Sequence, residues 1–457
     1  MTHTLQSGAT MPRWPQARRD GSRILSLAGP LILSNLATAG MMTADTLMSG
    51  RLGAVPLAAV AVGGNYVSLF YLGGLGMLMA LSPTVAHVYG AGRTSEVGGY
   101  FRQALWLSQA IALVIVLALL CVHPVLRAIG TPPEVADLAS RYVYAVAWGI
   151  PAMFAFLALR FSSEGIGWTR PILFTAAISL AANIFLNWVF MYGKLGFPAM
   201  GAVGTGIATA CVHWLVLLFM WQYVRRHRVY AAYRPLAHFE APDPQRLREI
   251  LRLGLPICGS VLAEGALFGS AGLILGTFGA MTVAAHAIAI NYAALMFMIP
   301  LSLHSATTIH VGHRAGAGDR AAARFAGWVG MGMCVGVMVV SALILVLARH
   351  GIAGLYTDDA AVASLAAYLL LFAAVFQVAD GLQVGAAGAL RGFKDARVPM
   401  WMNVIAYWGL GFPLAFGLGV GLGQGAPGVW TGLIAGLFAS AILLSVRYQL
   451  LTSRSSP

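Results

Sequence analysis

Charge is scarce in this chain: Asp, Glu, Lys and Arg make up 9% of its 457 residues, 59% are hydrophobic, and mean hydropathy is +0.78. That balance excludes an ordinary soluble globular domain, in which about a quarter of residues are charged. Cysteine is equally sparse. Cys121, Cys211, Cys258 and Cys334 stand in apolar stretches with no CxxC spacing and no nearby His or Cys, so they read as small core residues rather than disulfides or metal ligands. The first 23 residues are polar, with Arg13, Arg18, Arg19 and Arg23, and lack the apolar core of a signal peptide. No cleavage is expected there.

What is abundant is long apolar sequence. Twelve stretches are each able to cross a hydrocarbon core of roughly 30 Å as a helix. They lie near 24–50, 55–80, 101–123, 140–159, 171–193, 201–223, 251–276, 281–303, 323–348, 361–389, 398–420 and 426–446. Membrane β-barrels show short alternating segments instead, so the expected fold is an all-α integral membrane protein. A net charge of +13 would suit nucleic acid, but its placement argues for topology. With a cytoplasmic amino terminus, 23 basic residues fall on the cytoplasmic side. Only Arg51, Arg127, Arg141, Lys194 and Arg349 fall opposite. This is the positive-inside asymmetry, which places both termini in the cytoplasm, beside an inner leaflet whose anionic lipids attract the surplus.

Sliding the chain against itself by 226 residues aligns Pro30 with Pro256, Ser34 with Ser260, and Gly50 with Gly276. The same offset aligns "GAVPLAAVAVGGNY" (53–66) with "GAMTVAAHAIAINY" (279–292), and "HVYGAG" (87–92) with "HRAGAG" (313–318). One offset carrying all of these indicates a duplicated unit. Equivalent points are six spans apart, so the halves enter the membrane in the same sense and are related by a pseudo-twofold axis along its normal, as in secondary transporters with parallel repeats. The expected organisation is a cytoplasmic tail (1–23), an N-lobe (24–223), a linker (224–250), a C-lobe (251–446) and a second tail (447–457).

Of fifteen acids, only Asp45, Glu264 and Asp380 fall inside these spans; Asp20, Glu164 and the others read as tail, loop or span-end residues. An Asp at a helix centre costs about 2.5–3.5 kcal/mol on insertion scales. Their counterparts across the repeat are Ala271, Thr38 and Phe154, so the scaffold forms without acids there. No Lys or Arg falls deeper than the second position of any of the twelve stretches, so each acid is expected to meet a proton, a metal cation or a cationic ligand. Asp45 has an alternative in snorkelling toward Arg51, roughly 9 Å along a helix. Burial favours the neutral form of a carboxyl and a nearby cation the ionised form, which is the physical basis of exchange. Asn183 and Asn187 share one helix face and could line a cavity or join helices.

The stretches "MMTADTLMSGRLGAVPLAAVAVG", "NIFLNWVFMYGKLGFPAMGAVGTGIATA" and "FQVADGLQVGAAGALRGFKDARVP" resemble the NorM-like branch of the multidrug and toxic compound extrusion (MATE) family, over nearly the whole chain after its first twenty residues. The resemblance implies twelve helices in two six-helix lobes. It implies that Asp45, Asn183, Asn187 and Thr209 form a polar N-lobe site for substrate or proton. It also implies that Glu264 and Asp380, flanked by Gln377 and Gln383, form a C-lobe site for the coupling cation, whether Na+ or H+. The implied activity is efflux of bulky organic cations by alternating-access antiport. No enzyme activity and no cofactor beyond the coupling ion are implied. The expected setting is a monomer in a bacterial inner membrane. Two positions depart from the family pattern: Phe376 replaces a frequent tyrosine, and "TIHVG" carries His310, read as a loop-edge residue without a role. Two rival readings compete with this one. A flippase for lipid-linked precursors would need basic residues in the spans, and a GxGD protease would need Asp319 of "GAGD", whose repeat counterpart is "GAGR".

Overall fold

The computed structural model describes residues 13–237 and 239–453. All regular elements among them are helical. The first half holds α1 (Arg13–Gly50), α2 (Ala54–Leu78), α3 (Leu81–Gly90), α4 (Thr94–Leu120), α5 (Val122–Ala128), α6 (Pro133–Ala147), α7 (Ile150–Gly165), α8 (Arg170–Tyr192) and α9 (Gly201–Arg226). The second holds α10 (Pro244–Gly276), α11 (Ala280–Gly316), α12 (Arg320–Tyr356), α13 (Ala360–Gly392), α14 (Arg397–Val404), α15 (Phe412–Phe416) and α16 (Ala426–Ser453). Two π-helical turns, Ile405–Gly411 and Gly417–Gly421, join α14 and α15 into one rod over Arg397–Gly421.

Among the described residues, eleven helices are long and apolar enough to cross a membrane, and α6 with α7, bent by 47°, makes the twelfth. The bend lies at Gly149, where a Cβ would come within 2.7 Å of Ala210 Cα on α9, and Pro151 follows it at the start of α7. The close approach of α9 and the missing proline N–H explain the break.

The repeat extends to backbone detail. Gly50 and Gly276 end α1 and α10; Gly53 (φ 112°) and Gly279 (φ 96°) lead into helices starting at Ala54 and Ala280. Gly90 and Gly316 end α3 and α11, and Gly92 (φ 71°) and Gly318 (φ 83°) make the left-handed turns that follow. Each lobe has its own apolar core, one containing Phe101, Val143 and Phe154, the other Tyr407, Trp430 and Leu433. The lobes meet through symmetry-related elements, α1 and α3 on α11, and α2 on α10. Small residues allow close backbone approach: a Cβ on Gly76 would lie 2.7 Å from Cys258 Cα, and one on Gly254 2.5 Å from Met77 O. These contacts lie toward the end of the bundle that carries the linker, here called the basic face.

Helices overrun their apolar stretches at that face, which corrects the expected placement of several charges. Asp20 lies within α1 and is buried, not in a tail. Arg391 lies in the last turn of α13 and Arg160 within α7, so the spans do contain basic residues.

Candidate functional site

In the N-lobe, α1 packs on α8, and this brings three polar side chains together. Asn187 Nδ2 donates to Asp45 Oδ1 at 2.6 Å, and Asn183 Nδ2 donates to the same oxygen at 3.1 Å. The i, i+4 spacing puts both amides on one face of α8. Both asparagines are fully buried, whereas Asp45 is half-buried. Two amide donors on one oxygen hold the carboxylate in place without cancelling its charge. Asp45 forms no ion pair with Arg51 among the described residues, so the snorkelling alternative is not the geometry adopted. The Thr209 hydroxyl donates to Thr205 O within α9 at 2.9 Å rather than to Asp45 or the asparagines.

In the C-lobe, the two acids come from antiparallel helices. Phe268 on α10 and Phe376 on α13 pack edge to face at 5.7 Å. Glu264 lies one turn before Phe268, and Asp380 one turn after Phe376. Because the helices run in opposite directions, both acids fall on the same side of the aromatic pair and within electrostatic range of each other. Asp380 is 4% exposed. Gln377 and Gln383, at i−3 and i+3 from Asp380, share its face and are buried. Neither amide atom of Gln377 has a hydrogen-bond partner in the fold, and the Gln383 Oε1 has none. Buried amides without partners are rare and mark a place where a ligand atom could be met.

Tyr407 was not picked out from the sequence. It is wholly buried in the first π-helical turn, lies within electrostatic range of both Glu264 and Asp380, and its hydroxyl has no geometrically acceptable partner. Phe376 lacks the hydroxyl that the resemblance leads one to expect there, and the Tyr407 hydroxyl lies in the neighbourhood of the same acid pair on another helix. A π-turn commonly marks a functional position. No sequence signal short of that geometry would have found it.

Arg160, Arg391 and His304, which lie within the helices, are paired. Arg160 Nε donates to Glu164 Oε1 at 2.9 Å. His304 Nδ1 donates to Val384 O at 2.8 Å, which leaves Nε2 to accept from Arg391 at 3.1 Å. Arg391 is also the cation within electrostatic range of Glu264. The positive charges that a flippase cavity would present are thus engaged by partners. His310 lies inside α11, buried, with Nε2 2.9 Å from Asp20 Oδ1, rather than at a loop edge. This pair ties α1 of one lobe to α11 of the other. Asp319 caps α12 by accepting from Ala322 N at 2.9 Å, and Gly318 makes the turn before it, so "GAGD" is a helix cap. All four cysteines are free; Cys258 and Cys334 are buried, Cys211 is half-buried, and Cys121 is exposed beside the end of α4.

Comparison with known proteins identifies the family. The MatE family model matches twice, over residues 30–189 and 256–416, with starts separated by the internal offset of 226. The chain is 44% identical over 423 residues to "Probable multidrug resistance protein NorM" of Xanthomonas campestris pv. campestris, covering 93% of this chain and 92% of that one. It is 39% identical to "Multidrug resistance protein PmpM" of Pseudomonas aeruginosa, covering 96% and 93%. Among solved structures, "Outward-facing conformation of a multidrug resistance MATE family transporter of the MOP superfamily" superposes with a TM-score of 0.88 at 20% identity, over 95% of this chain and 96% of that one. The eukaryotic MATE transporter AtDTX14 superposes with a TM-score of 0.87, also at 20% identity, over 96% and 98%. A duplicated six-helix unit, one acid site in each half and two matches to the family model in the same register make this chain a multi-pass membrane protein of the MATE family, on its NorM-like branch.

Proposed function

We propose that this protein is a multidrug efflux antiporter that exports organic cations in exchange for Na+ or H+ by alternating access. One observation carries the reading: three carboxylates are held at helix-to-helix contacts inside an apolar bundle, with amides or aromatics beside them and no ion pair of their own. Such groups are costly unless a mobile cation visits them. The bundle is closed at the basic face, which we take to be cytoplasmic by the distribution of Lys and Arg, in an inner membrane, with both termini inside. In this state a lipophilic cation bound near Asp45 would leave toward the far face. The inward-moving ion is taken up by Glu264 and Asp380. If that ion is Na+, the two carboxylates supply charge and the Gln377 and Gln383 amide oxygens further ligands of the hard type Na+ prefers. Ion and drug need not touch, because each biases the same equilibrium between two lobe arrangements. The unit is expected to act as a monomer.

The decisive test is ethidium efflux from everted vesicles under an imposed Na+ gradient, then under a pH gradient alone. Asp380→Asn or Glu264→Gln is expected to abolish gradient-driven efflux while the protein remains in the membrane at normal levels. Wild-type efflux in either variant would overturn the assignment.

A further inference from the structure

A cavity of about 300 Å³ opens at the basic face, apart from the three intramembrane acids. Its floor is the turn between α7 and α8, with Trp168 and Thr169, and its walls include Tyr89 from the end of α3 and Tyr233 from the linker. Arg23 of α1 and Arg170 at the start of α8 stand at its sides. The walls are held in place by their neighbours. Trp168 Nε1 donates to the Tyr223 hydroxyl at 3.3 Å, and its ring packs on His227, which stacks on Tyr223 at 4.8 Å. Tyr89 meets Tyr233 edge-on at 6.4 Å and His313 at 4.9 Å.

Three features of this cavity point to an anion. The Arg170 guanidinium lies over the Trp168 ring at 5.2 Å, so it is positioned rather than loose. Arg23 reaches across the turn until its Nη2 is 3.6 Å from where a Gly167 Cβ would stand. No acidic side chain lines the cavity, and neither arginine has a carboxylate partner among the described residues. Some cations elsewhere on this face are matched, Arg102, Arg246, Lys394 and Arg447 with Glu240, Asp243, Glu249 and Asp395, while others such as Arg252 and Arg397 have no carboxylate partner among the described residues. Finally, the 23-residue α8 begins at the cavity without a side-chain cap from Thr169; Pro171 has no N–H and Ile172 N donates to Thr169 O at 3.1 Å, so what the helix offers there is its positive dipole end.

We propose that this cavity is a binding site for a phosphate ester, gripped by Arg23, Arg170 and the start of α8, with Trp168 and the tyrosines against its organic part. Guanidinium forks suit the tetrahedral oxygens of phosphate, and aromatic walls suit the glycerol and first carbons of an amphiphile. A phospholipid headgroup and a soluble phosphate ester share this chemistry. Basic pockets at the cytoplasmic border of helices are where anionic headgroups settle. The site is independent of the direction of transport and of the coupling ion.

The test uses the full-length purified protein in detergent. Phosphatidylglycerol or phosphatidylcholine is added and retention followed by native mass spectrometry; inorganic phosphate and glycerol 3-phosphate are titrated separately by thermal shift. The variants are R23Q/R170Q and, as a control on the opposite side, R349Q. Wild type and R349Q are expected to retain phosphatidylglycerol over phosphatidylcholine, with affinity at least tenfold above that of R23Q/R170Q. A thermal shift with the soluble phosphates that R23Q/R170Q loses would also support the site and assign it to a soluble ester. Equal binding of every probe by wild type and R23Q/R170Q overturns the proposal. Should the double variant melt early, R170Q alone is read in the same assays.

Discussion

Gly90 and Gly316 do the same work for opposite lobes: a Cβ on Gly90 would fall 2.2 Å from His313 O, and one on Gly316 2.3 Å from His87 O. The four residues form two copies of one contact about the pseudo-twofold axis, at the end of α3 and the end of α11. Backbone meets backbone there, so neither side can yield by turning a side chain. Asp20 with His310, and Glu249 held by Tyr100 and Lys394, fasten the same face around it.

Gly90→Ala should therefore open the basic face. Overpacking of this kind costs about 1–3 kcal/mol, enough to shift a two-state equilibrium by roughly 5- to 150-fold. Spin labels at Leu47 and Leu273, exposed repeat partners on the far halves of α1 and α10, would report it. In a background lacking Cys121, the variant should show a larger short-distance population than wild type. An unchanged distance distribution would mean that the contact does not bear on lobe closure.

The Asp20–His310 pair should act in the same direction. His310→Ala leaves a buried carboxylate with Arg314 Nη2 at 3.6 Å as its remaining partner. Loss of a buried hydrogen-bond partner costs about 1–3 kcal/mol, which should lower the melting temperature by a few degrees. Asp20→Asn keeps an oxygen for the imidazole and should cost less. The ranking is read by thermal unfolding in detergent.

Asn187→Ala should weaken binding of cationic dye more than Asn183→Ala does, because the Asn187 bond to Asp45 is 2.6 Å against 3.1 Å. A hydrogen bond to a charged group contributes about 1.5–3 kcal/mol, so roughly a 10- to 150-fold loss in affinity is expected for Asn187→Ala. Ethidium anisotropy with purified protein measures it. Equal losses would indicate that the two amides are interchangeable.

Tyr407→Phe should separate function from stability. The hydroxyl stands beside Ser440, whose own proton goes to Asn403 Oδ1, and makes no hydrogen bond of good geometry, so its removal should change the melting temperature little, by no more than about 1 kcal/mol in stability. Gradient-driven efflux should nevertheless fall, since the group stands by Glu264 and Asp380. A variant that melts like wild type and transports like wild type removes Tyr407 from the ion site.

Much of the architecture was legible from the letters. The offset of 226 anticipated the helix ends at Gly50 and Gly276 and the paired turns at Gly92 and Gly318, because a glycine needed for positive φ or close approach marks the same place in both copies. Span ends were less legible. Hydropathy falls as soon as Arg or Asp appears, but hydrogen bonding continues the helix, so Asp20 and Arg391 were read as lying outside elements that contain them.

For the site, i, i+4 spacing placed Asn183 and Asn187 on one face, yet the choice between cavity lining and interhelical bonding was open until α1 was seen against α8. His310 and Tyr407 were invisible for a related reason. Their partners, Asp20 and the Glu264–Asp380 pair, lie more than a hundred residues away in the first case and on other helices in the second.

By itself, the sequence determined that this is a duplicated helical membrane protein with acids where oil is expected, because hydropathy, periodicity and repeat register are local properties of the chain. Which acids share a neighbourhood, which cations are already matched, and which end of the bundle is closed were decided only by tertiary structure. Charge interactions at a few ångströms depend on how helices cross, and no single helix encodes its crossing partner.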